Sequence, residues 1–222
     1  MAHYVDHLPA LHESDWTAER LHRTFGAIPL WRVIWDPPPG MATEQDAVDL
    51  DLHHDRLCEL VDGVLIHKTG ELYYSWLTGV LSSQVTGFVM EHGLGVVLNG
   101  SAMMRLAPGL VRIPDASYFA WSRFPGRRLP DDPVSEIVPD LAIEIISPAN
   151  TPEEMARKLR EYFNAGVRLV WYVYPIQREV HVFQSVEDCA VLRDGDTLEG
   201  GDVLPEFSLS LTTFFNSGVR PE

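Results

Sequence analysis

The stretch PDLAIEIISP, residues 139–148, decides the fold. Side chains of an extended strand alternate between faces, so Leu141, Ile143 and Ile145 share one face and Ala142, Glu144 and Ile146 the other. Both faces are mostly apolar. A short apolar run closed by proline near each end predicts an interior strand of a layered α/β sheet. Glu144 is the exception, because a carboxylate at such a position is costly unless something pairs with it.

The residues on either side offer partners. TPEEMARKLREYFNAG, residues 151–166, predicts a helix with Thr151 as N-cap, Pro152 at the first position, Glu154 closing a T-x-x-E capping box and Gly166 at the end. Lys158 stands three residues after Met155 and four before Tyr162, so it flanks the stripe that packs on the sheet, while Arg157 points away. Upstream, in LVRIPDAS (110–117), Asp115 ends one predicted strand and opens the next.

Two carboxylates on neighbouring strands suit a hard divalent cation, since Mg²⁺ takes one or two carboxylates and keeps waters and substrate phosphate as its other ligands. A lysine beside them orients or deprotonates the attacking water. The chemistry implied is metal-assisted hydrolysis of a phosphodiester. The structural alternatives are a turn role for Asp115, a solvated Lys158, and an ion pair between Glu144 and Lys158.

Working outward, residues 1–40 read as an irregular covering arm, with an amphipathic stretch near Glu13 to Phe25 and the stop IWDPPPG (34–40), and residues 41–222 as one domain. Thr43 to Leu50 predicts a short helix with Thr43 and Asp46 as a capping pair. RLCELVDGVLIHK (56–68) predicts a hairpin turning at Asp62-Gly63. From Glu71 to His92, apolar residues at 72, 73, 76, 77, 80, 81, 85, 88 and 89 predict an amphipathic helix stopped at Gly93. Short strands are expected at 95–98, 102–106, 110–113, 117–121, 168–174 and 179–183. The tail, LRDGDTLEGGDVLPEFSLSLTTFF (192–215), reads as short strands and an apolar anchor.

The chain has 222 residues, 45% of them apolar, enough for one sizeable core. Its formal charge of −15 repels nucleic acid at long range unless basic residues cluster locally. Arg105, Arg112, Arg123, Arg127 and Arg128 surround Asp115 in sequence, and Arg157, Lys158, Arg160 and Arg168 follow Glu144. Cys58 and Cys189 form no zinc-type spacing and no disulfide framework, so reduced thiols are expected. No apolar run approaches a membrane span and the first residues lack a leader pattern, which predicts a cytoplasmic protein without a membrane partner. His53-His54-Asp55 lacks the helical spacing of a zinc protease, there is no phosphate-binding P-loop or nucleophile elbow, and DGDTLEGGD departs from the calcium-loop order.

IPDAS, PDLAIEIISP and NTPEEMARKLREYFNAGVRLVWYVYP, together with DPPPGMATEQD, CELVDGVLIHK and GGDVLPEFSLSLTTFF, resemble the Uma-two family of "putative restriction endonucleases", a branch of the PD-(D/E)XK nuclease superfamily. The resemblance covers nearly the whole chain after about residue 30. It implies an α/β fold of the mixed α+β kind, a restriction-endonuclease-like central mixed β-sheet flanked by helices, with β-hairpins. It further implies a Mg²⁺-dependent DNA endonuclease, with Mn²⁺ as an alternative metal, in which Asp115 and Glu144 face the metal and Lys158 serves from the helix. Glu59, in CELVDG, matches a recurring family glutamate and is a fourth site candidate. By analogy with the superfamily, a homodimer is expected.

Two departures stand out. The superfamily lysine two positions after the second acid is Ile146 here, and Tyr174 in WYVYP stands where relatives often carry Asp. Glu71 is the one acid at the start of the long helix. The competing expectations are a non-catalytic or partner-dependent module that keeps the nuclease fold and a remnant site, and a hydrolase of small phosphodiesters.

Overall fold

The computed structural model describes residues 16–68 and 70–218; the part of the expected arm before residue 16 lies outside them. The chain opens with α1 (Ala18–Phe25), whose N-cap Thr17 accepts from the Arg20 amide. A 3-10 turn at Leu30–Arg32 and the two-residue strand β1 (Val33–Ile34) follow. Next come α2 (Glu44–His54), the hairpin β2 (Cys58–Val61) and β3 (Val64–His67), and the 20-residue α3 (Leu72–Glu91). Strands β4 (Gly95–Asn99), β5 (Met103–Ala107), β6 (Leu110–Arg112), β7 (Ala116–Ala120), β8 (Val134–Ser135) and β9 (Leu141–Ile145) lead to α4 (Pro152–Ala165). The chain finishes through β10 (Leu169–Tyr174), β11 (Glu179–Phe183), β12 (Cys189–Arg193), β13 (Thr197–Gly200), β14 (Leu204–Ser210) and α5 (Leu211–Asn216).

The local signals explain where these elements begin and end. Asp62 and Gly63 both take positive φ, 51° and 74°, the backbone of the tight turn that joins antiparallel strands without splaying them. Capping boxes close at both predicted places: Thr43 with Asp46 at α2, and Thr151 with Glu154 at α4. Gly166 ends α4 in the left-handed conformation that costs glycine little.

The strands form two mixed six-stranded sheets and a separate ribbon of β13 and β14. One sheet runs β1-β3-β2-β6-β5-β8, the other β12-β11-β10-β9-β7-β4. Within the second, β9 pairs in parallel with β10 and antiparallel with β7, so it is interior as its composition predicts. All five of its residues are buried.

The alternation along β9 has the expected consequence. Leu141, Ile143 and Ile145 pack in one core with Leu77, Leu81, Val85 and Val89 of α3 and with Phe207, Phe214 and Phe215 of the tail. Ala142 packs on the opposite side with Met155, Leu159 and Tyr162 of α4. Glu144 shares that second face, so it points at α4. The first sheet also meets α4, through Glu59 of β2 with Lys158 and Arg112 of β6 with Glu161.

The long helix differs from its predicted stripe at one end. Leu72, Tyr73 and Trp76 are exposed, and burial begins at Leu77. The helix is apolar around much of its first turns, so periodicity there did not select one face. Its opening turns instead border a cleft, through Glu71, Tyr74, Ser75 and Thr78.

Candidate active site

Asp115 sits one residue before the Ala116–Ile143 pair of β7 and β9, across from Glu144. Cross-strand neighbours in an antiparallel pair project to the same face. The Asp115 carboxylate is fixed on the neighbouring strand, because its Oδ2 accepts the Ile145 amide at 2.7 Å. Its Oδ1 accepts from Lys68 Nζ at 2.8 Å.

Glu144 is held from the α4 side. Its Oε1 accepts from Tyr162 Oη at 2.5 Å and stands 3.1 Å from Lys158 Nζ. Its Oε2 lies 3.9 Å from Lys68 Nζ and, among the described residues, receives no hydrogen bond. Burial raises the pKa of this carboxyl above its ordinary value; Lys158 and Lys68 oppose the rise, and Asp115 and Glu59 add to it.

Lys158 bridges two strands of different sheets. Its Nζ is 3.0 Å from Glu59 Oε1 as well as 3.1 Å from Glu144. Glu59 in turn pairs with Arg112 at 2.8 Å and accepts the Ile113 amide at 3.0 Å. Burial alone would raise the pKa of Glu59, but Lys158, Arg112 and Lys68 together hold it well below the ordinary carboxylate value. Both Glu59 oxygens are therefore committed to protein donors.

The four sequence-predicted residues, Asp115, Glu144, Lys158 and Glu59, are thus brought to one place, and all line a cleft of about 280 Å³. Arg32, Glu71, Tyr74, Ser75, Ser147 and Asn150 also line it. Glu71 comes from the N-terminus of α3. Two basic residues that sequence reasoning did not single out complete the centre. Lys68 reaches in from just beyond β3, its register set by the Cys58–His67 pair that closes the hairpin. Arg32 forms a buried pair with Glu154.

The basic residues that surround Asp115 and follow Glu144 in sequence are largely paired within the protein. Arg105 pairs with Glu44 and Glu136, Arg112 with Glu59 and Glu161, Arg123 and Arg168 with Asp140, and Arg157 with Asp62 and Glu161. Arg112 is fully buried. Most of that positive charge neutralises the protein's own carboxylates.

Glu144 Oε2 and Asp115 Oδ1 converge on the single ammonium of Lys68, so the two carboxylates already share one cationic position. Among the described residues, no group of three or more His, Cys, Asp or Glu side chains is arranged to hold an ion. Two carboxylates with space for water match Mg²⁺ and do not match a closed zinc site. The residues fit a hard divalent cation.

The family model described as "Putative restriction endonuclease", Uma2, matches residues 45–212. The chain belongs to the Uma2 family. No functionally curated protein matches it. A crystal structure of a "putative nuclease belonging to DUF820" from Anabaena variabilis is similar at a TM-score of 0.65 and 20% identity, over 77% of this chain and 97% of that one. That likeness shows the fold.

Within this Uma2 chain the two departures have visible settings. Ile146 packs at the edge of the α4 core. Tyr174 packs against His181 with the rings tilted by 44° and their centroids 4.4 Å apart. Neither position carries a charge into the cleft.

Proposed function

We propose that this chain is a divalent-metal-dependent nuclease that hydrolyses phosphodiester bonds of DNA in the cleft between β7, β9 and α4. The observation that carries the reading is the convergence of Asp115 and Glu144, from adjacent strands, on one cation-sized position. Asp115 Oδ1 and Glu144 Oε2 are the oxygens that would hold Mg²⁺ or Mn²⁺. When bound, the ion supplies a Lewis acid for the phosphate and an acidified water as nucleophile.

The protein's own groups do the positioning. The Ile145 amide fixes Asp115, while Tyr162 and Lys158 hold one Glu144 oxygen and leave the other facing the cleft. The Lys158 ammonium carries three N–H donors and stands 3.0 Å from Glu59 and 3.1 Å from Glu144. From there it would serve the attacking water or a phosphate oxygen. Water adds to phosphorus, the bond to one sugar oxygen breaks, and the products are a phosphate monoester and a hydroxyl. A homodimer presenting two such clefts is the assembly that would cut both strands.

The internal pairing of the basic residues favours a second reading, hydrolysis of a small phosphodiester that needs no long basic groove. Among the described residues no helix is long and apolar enough to cross a membrane. Plasmid DNA and a chromogenic diester, each with Mg²⁺ or Mn²⁺, separate the two readings. Cleavage of plasmid that falls at least about a hundredfold in Asp115→Asn and Glu144→Gln supports the nuclease, a loss of the size expected when a group that stabilises the transition state is removed. Cleavage of the diester alone supports the second reading. Equal activity in parent and both variants contradicts this site.

A further inference from the structure

Lys68 occupies the position that a divalent ion would take. Its Nζ lies 2.8 Å from Asp115 Oδ1, 2.5 Å from the Ile113 carbonyl oxygen and 3.9 Å from Glu144 Oε2. Three oxygens surround one positive charge, as in a small cation site. The Lys68 side chain is mostly buried at the cleft, where its field acts on both carboxylates with little screening.

The charges nearest the centre balance without any metal. Glu59, Asp115 and Glu144 face Lys68, Lys158 and Arg112. Adding a divalent ion to this set would place two positive charges against the Lys68 ammonium, at oxygens the ammonium already uses. Lys158 and Arg112 cannot yield, because each is buried between carboxylates. Lys68 can, since it follows the end of β3 and borders the open cleft.

We propose that Lys68 is a resident counter-ion of the Asp115–Glu144 pair, and that a divalent cation enters by displacing its ammonium from between them. The inference rests on the metal reading above. Lys68 stabilises the metal-free protein and weakens metal binding, so the two effects are reciprocal. Once displaced, its ammonium stands at the cleft mouth, where a substrate phosphate is the anion available to it.

The test is calorimetric titration of Mn²⁺ into the parent protein and into Lys68→Met, Lys68→Gln and Lys68→Arg, with thermal melting of each in EDTA and in Mn²⁺. Lys68→Gln keeps a donor for the Ile113 carbonyl, so it guards against a folding failure of Lys68→Met. The expected result is at least about tenfold tighter Mn²⁺ binding in the neutral variants, parent-like binding in Lys68→Arg, and a lower melting temperature of the neutral variants in EDTA that Mn²⁺ restores. Mn²⁺ binding of equal strength in parent and neutral variants overturns the counter-ion role and leaves the metal site standing. Absence of Mn²⁺ binding in all four proteins overturns both.

Discussion

Arg32 and Glu154 form a two-pronged ion pair, both N–H···O contacts 2.9 Å, across 122 residues of chain. Both side chains are almost fully buried. Arg32 also donates to the carbonyls of Ala149 at 2.8 Å and His67 at 3.2 Å, so one guanidinium ties the segment before α4 to the end of β3. Those two segments flank Lys68 and the second carboxylate of the cleft.

Arg32→Met leaves a buried carboxylate without its partner, a change that costs about 3–5 kcal/mol. Urea unfolding at pH 7 is the measurement. Burial alone would raise the pKa of Glu154, but Arg32 holds it below its ordinary 4.5. A lowered folded-state pKa contributes stability that is present above pH 4.5 and lost as pH falls through the folded value. The gap between parent and Arg32→Met therefore narrows below pH 4.5.

Glu59→Gln separates a metal ligand from a positioning residue. Because Lys158, Arg112 and the Ile113 amide use both of its oxygens, the variant should lose about 3–5 kcal/mol of stability while its Mn²⁺ affinity stays near the parent's. Calorimetry showing loss of Mn²⁺ binding in a folded Glu59→Gln would make Glu59 a ligand.

Tyr162→Phe keeps a fully buried ring and removes the 2.5 Å hydrogen bond to Glu144. Hydrogen bonds to charged groups contribute about 1.5–3 kcal/mol, which is the expected loss in chemical denaturation.

How much of this was legible in sequence follows the range of the interactions. The β2–β3 turn, both capping boxes and the ends of α4 depend on residues within four positions of one another, and they were readable. Glu144 stood out because its charge sits in an apolar strand, Lys158 because it flanks the packed stripe of the next helix, and Asp115 only as an acid at the junction of two strands. Lys68 was missed, since its link to Asp115 spans 47 residues and nothing in the hairpin distinguishes it from a solvated lysine. The division of the strands between two sheets was equally hidden, because period-two alternation reports which face is buried and not which neighbour buries it.

The pairing of the arginines makes a further prediction. Each neutralised phosphate contributes about −0.9 to the slope of log affinity against log salt. With Arg105, Arg112, Arg123, Arg157 and Arg168 engaged by carboxylates, filter binding of duplex DNA should give a slope no steeper than about −3. A much steeper slope would mean that these pairs open on DNA.

Crystals soaked in Mn²⁺ and measured for its anomalous signal locate the ion itself. One peak is expected, bonded to an oxygen of Asp115 and an oxygen of Glu144, with Lys68 moved off both. A peak elsewhere, or a saturated soak that leaves Lys68 between the two carboxylates, would contradict metal entry between these two residues.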